Sequence, residues 1–401
     1  MNSNLFEELL NRVPIFKDES KLDINYVPNK LPHRDKEITL LSQLFLTLLT
    51  NPNEISRKVL ITGKTGIGKT AAVKLFGDLL IKESKKRNIL IKYIHINCRK
   101  ERTSYKVLIK IIQSIKNNFP KRGFSAQELL EIINDCLEGE DTHLIVVLDE
   151  LSYLIENDKD IMYSLTRLND DFLNAPQRLS LIGIIRDLSY INNLDLSTLS
   201  TLQRNIIKFE NYSKEQIFDI LKYRTEISLN DKVISEELIQ MISEIVFIKG
   251  DVRYGLNLIW KACKIAENQG LKIVTAECIR LANQDMVPFS TLDVLKEMTV
   301  EKLIFLLAIV KLLKKNNNSQ ISFMEILKFY LVLCENINIK PRSYSQLWNY
   351  LQEYKKNNLI SISVQNNHSR GRRALIKIPE ISLYKFEEII INKLNSKNIK
   401  I

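Results

Sequence analysis

Gly63-Lys64-Thr65-Gly66-Ile67-Gly68-Lys69-Thr70 is the stretch on which the reading of this 401-residue chain turns. It fits G-x-x-x-x-G-K-[ST], follows the short aliphatic run RKVLIT at 57–62 and leads through Ala71 into the helical pattern AAVKLFGDLLIK. A strand, a glycine-rich turn and a helix in that order make a phosphate cradle. The glycines let backbone amides close around phosphate oxygens, and the helix N-terminus adds the positive end of its dipole. Lys69 then reaches the β and γ phosphates and Thr70 can ligate Mg²⁺, so ATP or ADP with Mg²⁺ is the expected cofactor set.

Outward from this turn, aliphatic runs recur at 89–97, 143–148, 179–185 and 205–209, with helical segments between them. Near-continuous apolar strands alternating with helices predict an α/β domain whose parallel sheet has helices on both faces. The run at 143–148 ends in Asp149-Glu150. Two carboxylates at the C-terminal edge of a strand stand where α/β ligand sites lie. Asp149 is expected to hold Mg²⁺ through water, and Glu150 to orient or deprotonate an attacking water, with Lys69 the third member of the catalytic set.

From Tyr212 the strand signals stop, and helical patterns run to about residue 285. There Gly250-Asp251-Val252-Arg253 opens a helix. A cation at a helix start opposes the macrodipole, and a bound γ-phosphate would account for Arg253 at that position. Val287-Pro288-Phe289-Ser290 reads as a hinge, because proline disfavours helix in the residue before it. Helical patterns then continue to LISISVQ at 359–365, the turn NNHSRGRR and ALIKI at 374–378, which together predict a β-hairpin. The expected division is 1–210 for an ATP-binding base, 211–286 for an all-helical domain and 287–401 for a DNA-binding domain.

Charge is distributed along this division unevenly. The chain carries +11, from 58 basic and 47 acidic residues; residues 291–401 hold 18 of the former and 9 of the latter, a net +9, which leaves +2 for the rest. The total alone suits nucleic acid, an anionic membrane surface or neither; its concentration in the last quarter is the informative part. Within that quarter Arg342, Ser343, Tyr344, Ser345, Gln346 and Asn349 cluster at the start of one helical pattern. They offer donors to phosphates and base edges, while Leu347 and Leu351 face a core and Trp348 packs beneath the helix. Arg370, Arg372 and Arg373 surround Gly371 at the hairpin tip, suited to a groove or to the phosphate backbone.

With 45% hydrophobic and 26% charged residues, the chain is neither disordered nor fibrous. Five scattered cysteines without a CxxC pair favour reduced thiols over a disulfide framework or a zinc site. The first residues, MNSNLFEELLNRVP, lack the apolar core of an export signal, and the apolar run at 303–310 is far short of the ~20 residues of a membrane span. A cytoplasmic, nucleoid-associated location without membrane contact is therefore expected.

Taken together, these residues resemble the archaeal initiator family related to the origin recognition complex and its cell-division-control relative, a branch of the AAA+ ATPases. LPHRDKEI (31–38) is similar to the family's N-terminal box, GKTGIGKT to its Walker A, VVLDE (146–150) to its Walker B, and GDVRYGLNLIWKACKIAE (250–267) to its sensor-2 segment. HINCRKERTSYKVLIKII with FPKRGFS (119–125) is similar to the region of the initiator-specific insertion. The resemblance implies an AAA+ base, a helical lid and a C-terminal winged helix. It places Leu31, His33 and Arg34 near the adenine, Tyr212 as the closure of that pocket and Arg253 as sensor 2. Pro120, Lys121, Arg122 and Gly123 would touch the DNA minor groove and backbone, 340–354 would carry the recognition helix, and 369–373 the wing.

It also implies a function: binding of double-stranded DNA at replication origins, with slow ATP hydrolysis as a switch. A second initiator and the replicative helicase are the implied protein partners. Two positions depart from the family pattern. Arg186 precedes Asp187 where an asparagine is usual at sensor 1, and Ser197 stands in place of the trans-acting arginine, whose loss can lower turnover by ~10³–10⁵. The alternatives are a signal-transducing or transposition-associated AAA+ ATPase with non-specific DNA binding, and an origin-binding regulator whose nucleotide is purely structural.

Overall fold

All seven residues of His143–Asp149 are buried, which requires a strand covered on both faces. The computed structural model puts this strand inside a five-stranded parallel sheet. It describes residues 14–397 and 399, apart from 159, 167, 169–175, 317–319, 358, 367–371 and 379–381. The strands are β1 (Lys58–Thr62), β2 (Ile91–Asn97), β3 (His143–Asp149), β4 (Leu179–Ile184) and β5 (Ile206–Lys208), in the order β2-β3-β4-β1-β5. Each falls on one of the aliphatic runs of the sequence. Because β4 pairs with both β1 and β3, whatever follows β4 emerges between the P-loop and the carboxylates that end β3.

Helices α1 (Asp35–Phe45), α2 (Lys69–Lys86), α3 (Ser104–Ile115), α4 (Ala126–Gly139), α5 (Ser152–Asn157), α6 (Asp160–Thr166) and α7 (Leu196–Leu202) accompany the sheet. In α3, Val107, Leu108, Ile111, Ile112 and Ile115 recur at helical spacing and join the apolar core beside β3. In α4, the Ser125 hydroxyl and Glu128 carboxylate form a reciprocal capping box that starts the helix cleanly. The turn between α3 and α4 carries Pro120–Gly123.

Four further helices follow without a strand: α8 (Lys214–Ser228), α9 (Glu236–Lys249), α10 (Val252–Asn268) and α11 (Ala276–Gln284). The chain divides into two compact units, one of Ser20–Ile227 with Ser243–Val252, the other of Met1–Glu19, Ser228–Ile242 and Arg253–Ile401.

In the second unit α12 (Phe289–Glu297) begins directly after Pro288, followed by α13 (Val300–Lys315), β6 (Ile321–Ser322), α14 (Phe323–Asn336), α15 (Tyr344–Lys356), β7 (Ser361–Asn366), β8 (Arg372–Lys377) and α16 (Leu383–Asn395). β7 and β8 form the expected antiparallel hairpin, and β6 adds to β8 as a third strand that two residues are too short to announce in the sequence. This helix-rich unit closes around α13, with Phe305 meeting the Tyr330 ring edge-on at 5.3 Å. All five cysteines are buried and unbridged. No helix among the described residues is long and apolar enough to cross a membrane.

Candidate functional site

The phosphate cradle forms where β1 hands over to α2. Gly66 has φ 79°, and a Cβ there would stand 2.1 Å from Asp251 Oδ1, so both backbone and contact demand glycine. Gly68, at φ 89°, is the N-cap of α2, which makes Lys69 and Thr70 the first residues of a helix whose leading amides have no partner within it. Lys69 is only 8% exposed, and its ammonium donates to the carbonyls of Gly63 and, at 2.5 Å, Lys64. Lys64 is exposed, while Gly63, Thr65 and Ala71 are half-buried and Ile67 is buried.

Thr70 Oγ1 donates to Asp149 Oδ2 at 2.8 Å, and His95 Nε2 lies 2.9 Å from the same oxygen. The Glu150 amide donates to Oδ1 at 2.9 Å. Burial by itself raises the pKa of this 6%-exposed carboxyl. The hydrogen bond and attraction of His95, the Thr70 hydroxyl and the Glu150 amide outweigh that burial and hold Asp149 below the ordinary aspartate value. Hard oxygen donors side by side, one of them kept ionised, fit Mg²⁺, and Thr70 and Asp149 are the residues that would hold it, directly or through water. Among the described residues no group of three or more His, Cys, Asp or Glu could hold a metal by itself.

Sequence reasoning does not single out His95. Its only sequence signal is its place two residues before the end of β2, paired with Val147 on β3.

Glu150 takes a left-handed backbone, φ 54°, at the end of β3, and its Oε1 lies 3.3 Å from Arg186 Nη2. Asp187 caps the turn that follows, accepting from the Ser189 amide at 2.7 Å. Ser197, in the first turn of α7, donates both its amide and its hydroxyl to Asp195, at 3.0 and 2.8 Å.

The expected adenine side has a different internal logic. Arg34 is 4% exposed; Nε and Nη2 donate to the Ile67 carbonyl at 3.1 and 2.8 Å, Nη2 also to Glu210 O at 2.9 Å, and Nη1 pairs with Glu37 at 2.7 Å. Its guanidinium stacks 3.9 Å from the Tyr212 ring centroid. Arg34 thus clamps the P-loop backbone to the segment after β5. Tyr212 leans on Gly68, where a Cβ would lie 2.9 Å from its hydroxyl. His33, also left-handed at φ 63°, sits 2.8 Å from Asp219, and half-buried Leu31 accepts from the Arg34 amide at 3.2 Å. Asp251, which sequence reasoning passes over in favour of its neighbour Arg253, abuts the P-loop. Arg253 is the second residue of α10, half-buried, and belongs to the other unit.

Two further surfaces carry the residues expected at DNA. Pro120, Lys121, Arg122 and Gly123 form an exposed tip whose base is closed by the stacked rings of Phe119 and Phe124, 4.9 Å apart. At the start of α15, Arg342, Ser343, Tyr344, Ser345, Gln346 and Asn349 are all exposed, with Leu347 and Leu351 buried beneath. Arg342 Nη2 is paired with Glu301 at 2.6 Å, and Trp348 packs edge-on to Phe323 at 5.3 Å, the core role expected of it. Arg372 and Arg373 lie in β8; Arg370 and Gly371 lie outside the described residues.

A P-loop and an acidic strand end on the sheet order β2-β3-β4-β1-β5, followed by a helical segment and a winged helix, define an AAA+ P-loop protein with a C-terminal winged helix. Family models agree: one described as an AAA domain matches residues 56–186, one as the Cdc6 AAA+ ATPase-type lid domain matches 218–284, and one as the CDC6 C-terminal winged helix domain matches 293–382. The ORC1-type DNA replication protein 2 of Sulfolobus acidocaldarius is 32% identical over 406 residues, spanning 98% of this chain and 97% of its own. Among solved structures, Cdc6p of Pyrobaculum aerophilum is similar at 27% identity and TM-score 0.62 over 96% of this chain and 100% of its own. Orc1 of Aeropyrum pernix, solved in complex with DNA, shares the fold at 24% identity and TM-score 0.77 over 96% and 98% of the two chains. The chain belongs to the ORC1/Cdc6 family of DNA replication initiators.

Proposed function

We propose that this chain binds ATP with Mg²⁺ at the P-loop and uses slow hydrolysis as a switch on its binding to double-stranded origin DNA. The observation that carries the nucleotide half is the contact of Thr70, at the start of α2, with Asp149, at the end of β3, beside a buried Lys69. Lys69 neutralises β- and γ-phosphate oxygens, and Thr70 and Asp149 hold the metal. Mg²⁺, when bound, supplies charge neutralisation on the phosphates. Glu150 takes the proton of a water whose oxygen bonds to the γ-phosphorus. The bond from that phosphorus to the bridging oxygen breaks, and its electron pair leaves on ADP.

The DNA half rests on the exposed polar start of α15, the arginines of β8 and the Lys121–Arg122 tip. The helix supplies base-edge donors, while the arginines and the tip hold phosphates and the minor groove. An Aeropyrum pernix relative solved with DNA supports this reading. In this role the protein acts in the cytoplasm at the nucleoid, with a second initiator and the replicative helicase as partners. Footprinting across the chromosome of the source cell tests it: a few sharp protected sites are expected, and a diffuse smear with ATPase activity raised by any DNA would return the reading to a non-specific AAA+ ATPase.

A further inference from the structure

Arg186 places a full positive charge where the resembled pattern has a neutral amide, and the sheet order brings that charge to Glu150. Leu151 N donates to Ile184 O at 2.9 Å and Ile185 N to Ile61 O at 2.9 Å, so the backbones on either side of Arg186 and Glu150 are tied to neighbouring strands. We propose that Arg186 is a positioning residue that clasps the carboxylate of Glu150 and turns it away from the attacking water, so that each chain restrains its own hydrolysis. The inference deepens the nucleotide reading above and rests on it.

Three observations combine. The Nη2 to Oε1 separation is 3.3 Å, with the side chains 34% and 24% exposed, so the pair is only partly screened by solvent. Glu150 holds φ 54°, a conformation that side chains disfavour, and in that conformation its carboxylate meets Arg186, two residues past the end of β4. Finally, a general base must lie within hydrogen-bond reach of the water it deprotonates, and a carboxylate engaged by a guanidinium gives up part of that reach. An asparagine at 186 would leave the carboxylate free to swing to water.

The test is single-turnover hydrolysis of γ-labelled ATP by the full chain, with ATP affinity measured by calorimetry for each variant. Arg186→Asn is expected to raise the rate about fivefold, the size of a partly exposed ion pair, with ATP affinity changed less than about twofold. Arg186→Lys, which keeps the charge, stays within about twofold of the parent rate. The gain from Arg186→Asn disappears in a Glu150→Gln background, a coupling that a merely structural role would not produce. An unchanged or lower rate in Arg186→Asn overturns the clasp; a fall accompanied by weaker ATP binding shows instead that the guanidinium serves the γ-phosphate. An equal gain in the Glu150→Gln background overturns it too. If the parent chain binds no ATP, the nucleotide reading fails and takes the clasp with it, whereas normal binding without the gain removes the clasp alone.

Discussion

The P-loop end of the sheet and the winged-helix region handle charge in opposite ways. Around the P-loop the ions point inward: Lys69, Arg34 and Asp149 are all buried, and each is held by named carbonyls, a ring or a hydroxyl. At the start of α15 the polar side chains, Arg342 among them, are exposed, over a core made of α13, α14, α15 and the hairpin. Buried charges are expensive and therefore fixed in place; exposed ones are cheap to keep and easily screened. The first region should accordingly respond to substitution and pH, the second to salt.

The largest expected effect is at Lys69. Lys69→Ala removes the buried ammonium and should weaken ATP binding by at least about 100-fold in calorimetry, since charge-assisted contacts to phosphate are among the strongest available. Unchanged ATP affinity would break the comparison at its inward end.

His143, at the opposite end of β3 from Asp149, tests by pH what burial does within the same sheet. It lies wholly buried between Ser180 Oγ, at 2.9 Å, and Asn53 Oδ1, at 3.3 Å, and burial, helped by Arg178, lowers its pKa to about 4. The folded protein therefore keeps it neutral where the unfolded chain, at about 6.5, takes up a proton. Its contribution to stability is complete above pH ~6.5 and is lost as pH falls toward ~4, on the order of 3 kcal/mol at the acid end. His143→Gln should flatten that acid limb in denaturation curves recorded between the two values; a limb of undiminished slope would assign it to other groups.

At the outward end, Gln346→Ala should cost about 1–3 kcal/mol of discrimination at one base pair, measured by competition between duplexes. Arg342→Ala should alter sequence preference less, because its guanidinium is already engaged by Glu301. The reverse order would mean that the pair with Glu301 opens on DNA.

The smallest effect per residue belongs to the arginines assigned to phosphates. Replacing Arg370, Arg372 and Arg373 with Ala should weaken binding to every duplex alike and flatten the slope of log K against log salt by up to ~0.9 for each phosphate that is no longer neutralised. An unaltered slope removes the wing from the interface.

Much of this is legible in the sequence, for identifiable reasons. The five strands of the large sheet, the P-loop and the carboxylates after β3 announce themselves because each is encoded in consecutive residues whose type follows from burial or from phosphate geometry. The start of α15 is equally plain, because alternation of Leu347 and Leu351 with polar neighbours is a local pattern. What cannot be read are the partners. Nothing in HINC marks His95 as the residue that meets Asp149, 54 positions away. The resemblance of LPHR implies that Arg34 lies near the adenine, whereas in the structure its guanidinium is occupied by Ile67 and Glu210 carbonyls and by the Tyr212 ring. Asp251 against Gly66 joins segments nearly two hundred residues apart.

The sequence by itself determined the class of fold, the P-loop, the acidic strand end and the family, because these depend on short-range spacing and on which residues tolerate burial. Only the tertiary structure decided that Arg186 faces Glu150 and that Arg34 braces the P-loop. The order in which parallel strands lie side by side is set by long-range packing of apolar faces, and that order, with β4 between β1 and β3, chooses which side chains meet.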